Sequence, residues 1–250
     1  MNREPEFSAV QEGSVLQITL TRRKSSNALS MTLVENLLRI LKTAADDNTS
    51  LVIFKGEGKN FCSGFDLGDL QSQSDGDLLY KFVRIELLLQ QIAHACFHTL
   101  AFAQGGVIGA GCDLFCACSE RICSPNSTFR MPGWRFGIAL GTRRLVQRVG
   151  PDSARLLLNE SQTFTAHKAV CIGLANAMQP EDTWPQLISE SKQRARSLEP
   201  YSRKLLLQLT TTDTREGDMA SLVASASRPG LRERIVNFRA AELANNPRKR

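Results

Sequence analysis

The stretch TLAFAQGGVIGAG, Thr99–Gly111, indicates more about the fold than any other part of the chain. A short apolar run leads into a glycine-rich turn, and an apolar helical pattern follows it. Closely spaced glycines let the backbone turn sharply and let a ligand approach main-chain N–H groups without a Cβ in between. An N–H at the start of a helix can hold a developing negative oxygen, because the positive end of the helix dipole lies behind it. A strand-to-helix turn with packing glycines is the alternative, and this stretch alone does not separate the two.

Periodicity on either side of this stretch predicts an α/β fold. Strands are predicted at 7–10, 15–20, 51–54, 100–103, 121–124, 128–129 and 175–178. Helices are predicted at 31–45, 77–97, 112–118, 141–149, 152–158 and 165–171, and beyond Pro180 at 184–198, 201–209, 216–226 and 231–243. Strands that alternate with helices favour a layered α/β domain. The helical C-terminal part has few apolar residues, so we expect it to dock on the core or on a neighbouring copy.

The composition excludes several classes of protein. The 250 residues are 42% hydrophobic, and the net charge of +6 favours anionic partners such as phosphorylated ligands. The chain has no apolar run of the roughly 20 residues that a membrane span requires. Its first ten residues do not resemble a secretory signal, so we expect a cytoplasmic protein without a membrane partner. No basic stripe interleaved with aromatic residues occurs, so nucleic acid is not the expected partner.

The seven cysteines are predicted to be reduced and mostly buried. Their number is odd and they lie in apolar runs, which does not suggest a disulfide framework. Cys112 and Cys116 would share a helix face and could hold a metal. No second ligand pair with suitable spacing follows, so core packing is favoured and no metal site is expected.

Four stretches, taken in order, resemble the enoyl-CoA hydratase/isomerase, or crotonase, superfamily. They are TRRKSSNALS (Thr21–Ser30), GEGKNFCSGFDLGDL (Gly56–Leu70), AFAQGGVIGAGCDLFCAC (Ala101–Cys118) and STFRMPGWRFGI (Ser127–Ile138), the last continued by GTRRLVQRVG (Gly141–Gly150). Any one of these motifs would be a weak signal, but four in register over nearly the whole chain are specific.

This resemblance implies a crotonase-like spiral of ββα repeats that forms two sheets. It places the core with the acyl-CoA site at 1–195 and a helical oligomerisation segment at 196–250, which would build a homotrimer or a hexamer of two trimers. The implied ligand is an acyl-CoA thioester. Coenzyme A enters as part of the substrate, and no covalently bound cofactor is expected.

The resemblance also implies the residues of the site. Two backbone N–H groups would hold the thioester oxygen, and in this sequence they fall on Phe65 and Ala110. Each such donor can stabilise an enolate-like oxygen by roughly 3–4 kcal/mol. Lys24, with Arg22 or Arg23 beside it, suits a phosphate of coenzyme A. The residues expected to contact the substrate or its coenzyme A part are Lys24, Ser26, Ala28, Ser63, Phe65, Asp66, Leu67, Gly105, Gly109, Ala110, Pro132, Gly133 and Trp134.

The sequence departs from the superfamily at the two glutamates that its hydratases use. The first falls on Asp113, which is shorter by one methylene, or about 1.5 Å, and a displacement of that size can cost about 10²-fold in rate. The second falls on Gly133, so that carboxylate is missing. Asp113 remains the best acid–base candidate; a carboxylate that merely satisfies the start of its helix is the alternative. Glu57 and Glu86 are possible substitute bases, and both are predicted to be surface residues.

Two bulky residues suggest a pocket for a flat or large acyl group. Phe65 lies at a position that is usually small in the superfamily, and Trp134 follows Gly133. Members that act on aromatic thioesters carry a similar pair, together with an aspartate nucleophile farther along. Dehalogenation is not expected here, because no acidic residue lies between Gly133 and Gly150.

Three functions remain open from the sequence. The first is an enolate-stabilising enzyme of the hydratase/isomerase kind. The second is a decarboxylase or lyase for a malonyl-type thioester, a reaction that needs the oxyanion hole and little else. The third is a catalytically weak member that binds coenzyme A esters or RNA. The positive net charge of the chain suggests the RNA alternative.

Overall fold

The computed structural model describes residues 5–245, and its strands form two sheets. In chain order the strands are β1 (Phe7–Glu12), β2 (Val15–Leu20), β3 (Leu51–Gly56), β4 (His98–Ala103), β5 (Gly106–Ile108), β6 (Glu120–Cys123), β7 (Thr128–Arg130), β8 (Phe164–Thr165) and β9 (Ala177–Met178). The six-stranded sheet has the order β1-β2-β3-β4-β6-β9, and the three-stranded sheet has the order β5-β7-β8. In the larger sheet β1 is antiparallel to β2, and the remaining neighbours are parallel.

Helices follow most strands and make up the whole C-terminal part that the structure describes. They are α1 (Met31–Asp46), α2 (Asp75–Ala93), α3 (Ala110–Ala117), α4 (Thr142–Val149), α5 (Pro151–Glu160), α6 (Ala166–Cys171), α7 (Trp184–Arg196), α8 (Pro200–Thr210), α9 (Arg215–Ala226) and α10 (Leu231–Asn245). The predicted elements are confirmed, with shifted ends. None of these helices is both long and apolar enough to cross a membrane.

Local capping explains where several helices begin. Ser30 accepts a hydrogen bond from the Leu33 amide, as its position before α1 predicts. Ser74 and Asp77 form a reciprocal capping box, so α2 begins at Asp75 rather than at the predicted residue 77. The same helix ends at Ala93, before the predicted residue 97, because the chain enters β4 at His98.

Both faces of the larger sheet are covered, as the apolar run of β3 requires. Side chains alternate along a strand, so Val52 and Phe54 face the main core while Leu51 and Ile53 face the opposite side. On that opposite side α7 contributes a cover that includes Trp184, whose ring lies 4.9 Å from the ring of Phe102.

Helix α3 lies at the centre of the molecule. Every residue from Ala110 to Ala117 is buried, and all of them except Asp113 are apolar or small. Cys112 and Cys116 are packed in this core as free thiols, as predicted. Burial raises the pKa of the Cys116 thiol, so it is held in its neutral form.

The C-terminal helices dock on the core of their own chain. Helix α9 packs along α2, and α10 packs on α2 and on the short 3₁₀ turn Gly133–Phe136. The carboxylate of Asp75 accepts hydrogen bonds from the amides of three residues at the start of α10, Gly230, Leu231 and Arg232. This contact ties the start of α10 to the start of α2.

The sequence analysis missed two short strands. Gly105 and Gly106 were predicted to form only a turn, whereas Gly106 begins β5 and accepts a hydrogen bond from the Cys62 amide. Strand β8 contains two residues only. Strands this short have no periodicity to detect, and their pairing partners lie far away in the sequence.

Candidate active site

Two glycine-containing corners pack backbone against backbone beside α3. A Cβ on Gly64 would lie 2.5 Å from the Ile108 carbonyl oxygen and 2.9 Å from the Ala110 nitrogen, and the φ of Gly64 is +87°. Both facts require glycine at this position. The Ile108 amide donates to the Cys62 carbonyl at 2.9 Å, which holds the two corners together.

This packing leaves the main-chain amides of Phe65 and Ala110 without hydrogen-bond partners in the part of the chain that the structure describes. Ala110 is the first residue of α3, so its N–H has no carbonyl one turn earlier within the helix to bond. Neither amide donates a hydrogen bond to another group in residues 5–245. Both residues line the same cavity, one of them at the positive end of a helix dipole. Such amides can accept a negatively charged oxygen.

The cavity has a volume of about 440 Å³ and a mostly apolar wall. The corners and α3 form one side, the turn 133–136 a second, and α10 forms the roof. Its polar members are Ser63, Asp113, Arg130, Thr163, Arg239 and Glu242. Its large apolar members are Phe65, Leu67, Phe82, Ile108, Met131, Phe136, Ile138, Leu140, Leu158, Ile235, Phe238 and Leu243.

Aromatic pairs stiffen two of these walls. The ring of Phe65 stacks on Phe82 with centroids 4.4 Å apart and an interplanar angle of 15°. Phe136 contacts Phe238 of α10 at 5.2 Å, which ties the roof to the 133–136 turn. The wall is therefore suited to an apolar acyl group.

Asp113 places a carboxyl group on the cavity wall one helical turn after Ala110. Residues three apart in a helix share a face, so the carboxyl lies on the same side of α3 as the Ala110 amide. Asp113 is 5% exposed, and its Oδ1 has no hydrogen-bond partner among residues 5–245. The Cα of Gly141, whose φ is +65°, packs against this carboxyl, and a Cβ there would overlap Oδ1.

The surroundings of Asp113 disfavour its charged form. Burial raises the pKa of the Asp113 carboxyl well above its ordinary value, and the nearby carboxylates of Glu86 and Asp218 raise it further. The guanidinium of Arg144 acts in the opposite direction and is outweighed.

A buried ion-pair cluster of three side chains lies behind Asp113. Arg144 Nη1 donates to Glu86 Oε1 at 2.9 Å and to Asp218 Oδ2 at 3.0 Å. The prediction that Glu86 is a surface residue is therefore wrong, since its side chain has 0% exposure. Its partner comes from α4, which no pattern within α2 reveals. Glu57 does lie near the surface and pairs with Arg23.

The structure brings eight of the predicted site residues together and leaves six elsewhere. Those that line the cavity are Ser63, Phe65, Leu67, Gly109, Ala110, Asp113, Pro132 and Gly133. Those outside its lining are Lys24, Ser26, Ala28, Asp66, Gly105 and Trp134.

Trp134 and Gly105 have other surroundings. Trp134 is 47% exposed, and its Nε1 donates to Thr142 Oγ1 at 3.2 Å. It lines a separate groove of about 460 Å³ between the 133–136 turn, α4 and α5. The tight turn directs its residues to different sides, so Gly133 and Phe136 line the cavity while Trp134 lines the groove. Gly105 packs directly on the Lys59 carbonyl, and this close backbone contact explains why the position is glycine.

The loop that contains Lys24 runs beside the corner at Gly64. The Ser63 amide donates to the Ser26 carbonyl at 2.9 Å, and the Leu29 amide donates to the Gly64 carbonyl at 2.7 Å. Lys24 is exposed, whereas Arg22 forms an ion pair with Asp66 at 2.7 Å. Lys24 is thus the more available of these two cations for a ligand phosphate.

Sequence reasoning missed the contribution of α10. Ile235, Phe238 and Glu242 recur at helical spacing and line the cavity roof, which is a signal of one shared face but not of where that face docks. Arg130 of β7 joins this roof to the wall, because its Nη2 contacts Glu242 Oε1 at 2.8 Å. Its Nε also donates to the Ser161 carbonyl at 2.8 Å.

Comparisons with known proteins identify the family of this chain. The family model described as enoyl-CoA hydratase/isomerase matches residues 10–228. A crystal structure from Bordetella parapertussis, provisionally assigned as an enoyl-CoA hydratase/isomerase, is 40% identical with a TM-score of 0.94, covering 95% of this chain and 99% of that one.

Two characterised relatives match over different lengths. The short-chain-enoyl-CoA hydratase of Clostridium acetobutylicum is 32% identical over 66% of each chain. The 4-chlorobenzoyl coenzyme A dehalogenase-1 of an Arthrobacter species is 25% identical over 98% of this chain and 94% of its own. The four motifs, the α/β fold with its helical C-terminal region and these matches together show one thing: the chain belongs to the enoyl-CoA hydratase/isomerase family.

Proposed function

We propose that this enzyme binds an acyl-CoA thioester and stabilises its enolate through the amides of Phe65 and Ala110. The observation that carries the proposal is the pair of unpartnered amides on one cavity wall, held by glycine corners that tolerate no side chain. Preorganised donors need no rearrangement when charge develops on the thioester oxygen, which is why they lower the barrier.

The cavity supports an apolar acyl group as the natural substrate. Its wall is dominated by aliphatic and phenylalanine side chains, and the stacked Phe65–Phe82 pair offers a flat surface. The dehalogenase relative is named for an aryl thioester, which makes aryl-CoA compounds worth including. Coenzyme A would lie along the loops at 24–28 and 62–67, with Lys24 near a phosphate.

Asp113 is the proposed proton-exchanging group. Within residues 5–245 the only acidic side chains that line the cavity are Asp113 and Glu242, and Glu242 is paired with Arg130. With Gly133 in place of a second carboxylate, one acid–base group serves the site.

A panel of thioesters tests this proposal. We expect measurable turnover of an enoyl-CoA with a medium-length or aryl acyl group, and a loss of about 10²–10⁴-fold in kcat for Asp113→Asn. Asp152→Asn is the matched control, because Asp152 is an exposed aspartate in the first turn of α5. Turnover that is equal in Asp113→Asn and in the native enzyme would remove Asp113 from the mechanism.

Decarboxylation of a malonyl-type thioester is the second candidate. It is favoured by the lone, buried Asp113, since loss of CO₂ generates the enolate without a base and then requires only a proton. Release of CO₂ from methylmalonyl-CoA, with no hydration of crotonyl-CoA by the same preparation, would select it over the hydratase.

A further inference from the structure

We propose that burial without a hydrogen-bond donor at Oδ1 among the described residues, reinforced by the neighbouring carboxylates of Glu86 and Asp218, holds Asp113 as a neutral carboxylic acid, so that this site donates a proton to its substrate. The proposal rests on the enolate chemistry above for the destination of the proton. The protonation of Asp113 itself is a property of the unliganded protein and can be measured separately.

Hydrogen bonds from outside the cluster also hold its side chains in place. Both carboxylates have further donors: Gln90 Nε2 lies 2.9 Å from Glu86 Oε1, and Thr214 Oγ1 lies 2.7 Å from Asp218 Oδ2. Two carboxyl groups share one guanidinium, and the three side chains are at most 5% exposed. Counted formally, two carboxylates and one guanidinium carry a net charge of −1.

The remaining charges around Asp113 do not reverse this sign. Arg143 lies 3.3 Å from Asp218 Oδ1, but its side chain is about half exposed and therefore screened by water. Across the cavity, Arg130 of β7 is paired with Glu242, and Arg239 of α10 is exposed. Within α3 itself, burial keeps the neighbouring thiols Cys112 and Cys116 neutral.

The carboxyl of Asp113 is poorly placed to carry a negative charge. Its Oδ1 faces the Cα of Gly141 rather than a donor and has no hydrogen-bond partner in the described chain. A buried carboxylate without donors is costly, so such a group takes up a proton instead. The carboxylates of Glu86 and Asp218 add repulsion to this cost, and both are bonded to Arg144, whose guanidinium acts in the opposite direction.

The resulting step is balanced in protons and electrons. The O–H bond of Asp113 breaks, and its proton moves to the α-carbon of the thioester enolate. The enolate electron pair forms the new C–H bond, and the thioester carbonyl is restored. Asp113 remains as a carboxylate, which takes a proton from water before the next turnover.

Glu86→Gln tests the electrostatic part of the proposal, because the substitution removes one carboxylate with little change of side-chain shape. The protonation of Asp113 is read in the unliganded protein from infrared difference spectra against Asp113→Asn over a range of pH. We expect the native carboxyl to be protonated at neutral pH. In Glu86→Gln the midpoint of the Asp113 titration should fall by about one pH unit or more, because one neighbouring negative charge has been removed.

Glu35→Gln is the control. Glu35 lies in α1 and forms an ion pair near the surface with Arg84, which belongs to α2 like Glu86. The substitution should leave the Asp113 midpoint unchanged. Asp218→Asn is the second test variant, used if Glu86→Gln does not fold, and should lower the midpoint likewise.

Two results would overturn the proposal. One is a native Asp113 that is ionised at neutral pH, and the other is a midpoint that neither cluster variant lowers. If the titration behaves as expected but no thioester is turned over, the electrostatic inference stands and the proposed function fails. In an active enzyme, the pH at which kcat declines should shift downward in Glu86→Gln, which a purely structural role would not produce.

Discussion

At the scale of single residues, the site depends on positions where a side chain is absent. Gly64 lets the two corners approach within backbone contact, and Gly141 lets the carboxyl of Asp113 lie against the main chain. Gly133 lines the same cavity without adding a side chain to it. In the proposed function, Gly64 shapes the oxyanion site, Gly141 makes room for the acid, and Gly133 leaves the site without a second carboxylate.

Gly64→Ala should damage both stability and activity. The new Cβ would meet the Ile108 carbonyl at 2.5 Å, and the φ of +87° is unfavourable for alanine. We expect the free energy of unfolding to fall by about 2–5 kcal/mol. Displacement of the amide pair should lower kcat by about 10²–10³-fold. Denaturant unfolding and steady-state kinetics measure these effects.

Gly76→Ala provides the comparison, because Gly76 is exposed in α2 and its Cβ would meet only Ser74 Oγ at 3.6 Å. It should be neutral or stabilising by about 0.5–1 kcal/mol. Equal losses in the two variants would show that the corner geometry is not special.

Asp113→Asn should stabilise the protein increasingly as the pH rises from acid to neutral. The folded-state pKa of Asp113 lies above its unfolded value near 3.8, so the folded protein holds a proton that the unfolded chain releases. The native protein therefore loses stability with rising pH in this range, by at most about 1.4 kcal/mol per pH unit, and the asparagine variant does not. Unfolding free energies at several pH values test this, and a gain that is independent of pH would contradict it.

At the scale of elements, α10 converts an open cleft into a roofed cavity. Its start is fixed by the Asp75 carboxylate and its far end by the contact between Glu242 and Arg130. Between these points Ile235 is buried and Phe238 packs on Phe136. The roof thus depends on two polar contacts and an apolar face.

Asp75→Ala should loosen this roof. Three amides at the start of α10 would lose their acceptor, so their hydrogen exchange should accelerate and KM for an acyl-CoA should rise more than kcat falls. Asp77→Ala is the control, because it disrupts the capping box of α2 without contacting α10. Unchanged protection of α10 in Asp75→Ala would show that the apolar face alone holds it.

At the scale of the whole molecule, α8 presents an apolar face that nothing in the described chain covers. Tyr201 is 71% exposed and Leu209 is 78% exposed, with Leu205 and Leu206 partly exposed beside them. Residues 201, 205 and 209 share one side of the helix. A patch of this kind is typical of a protein interface.

We therefore expect assembly through α8, in line with the trimer or hexamer that the family resemblance implies. Light scattering should give three or six times the mass of one chain. Replacing Leu205 and Leu209 together by glutamate should shift the protein to single chains with its fold retained by circular dichroism. A native protein that is monomeric, or an assembly that the double variant leaves intact, would contradict this.

The sequence by itself determined the layered α/β fold, the placement of most strands and helices, and the two glycine corners. These features are local, because periodicity, caps and clustered glycines act on neighbouring residues. The four motifs also assigned Phe65, Ala110 and Asp113 to one site, and the structure places all three on one cavity wall.

Only the tertiary structure decided what surrounds that wall. It buried Glu86 against Arg144, turned Trp134 away from the cavity and laid α10 across the top. Each of these outcomes joins residues far apart in the chain, and no pattern within one element encodes its distant partner. The charge of a buried carboxyl such as Asp113 depends on those partners, so the chemistry available to the site becomes visible only once the chain is folded.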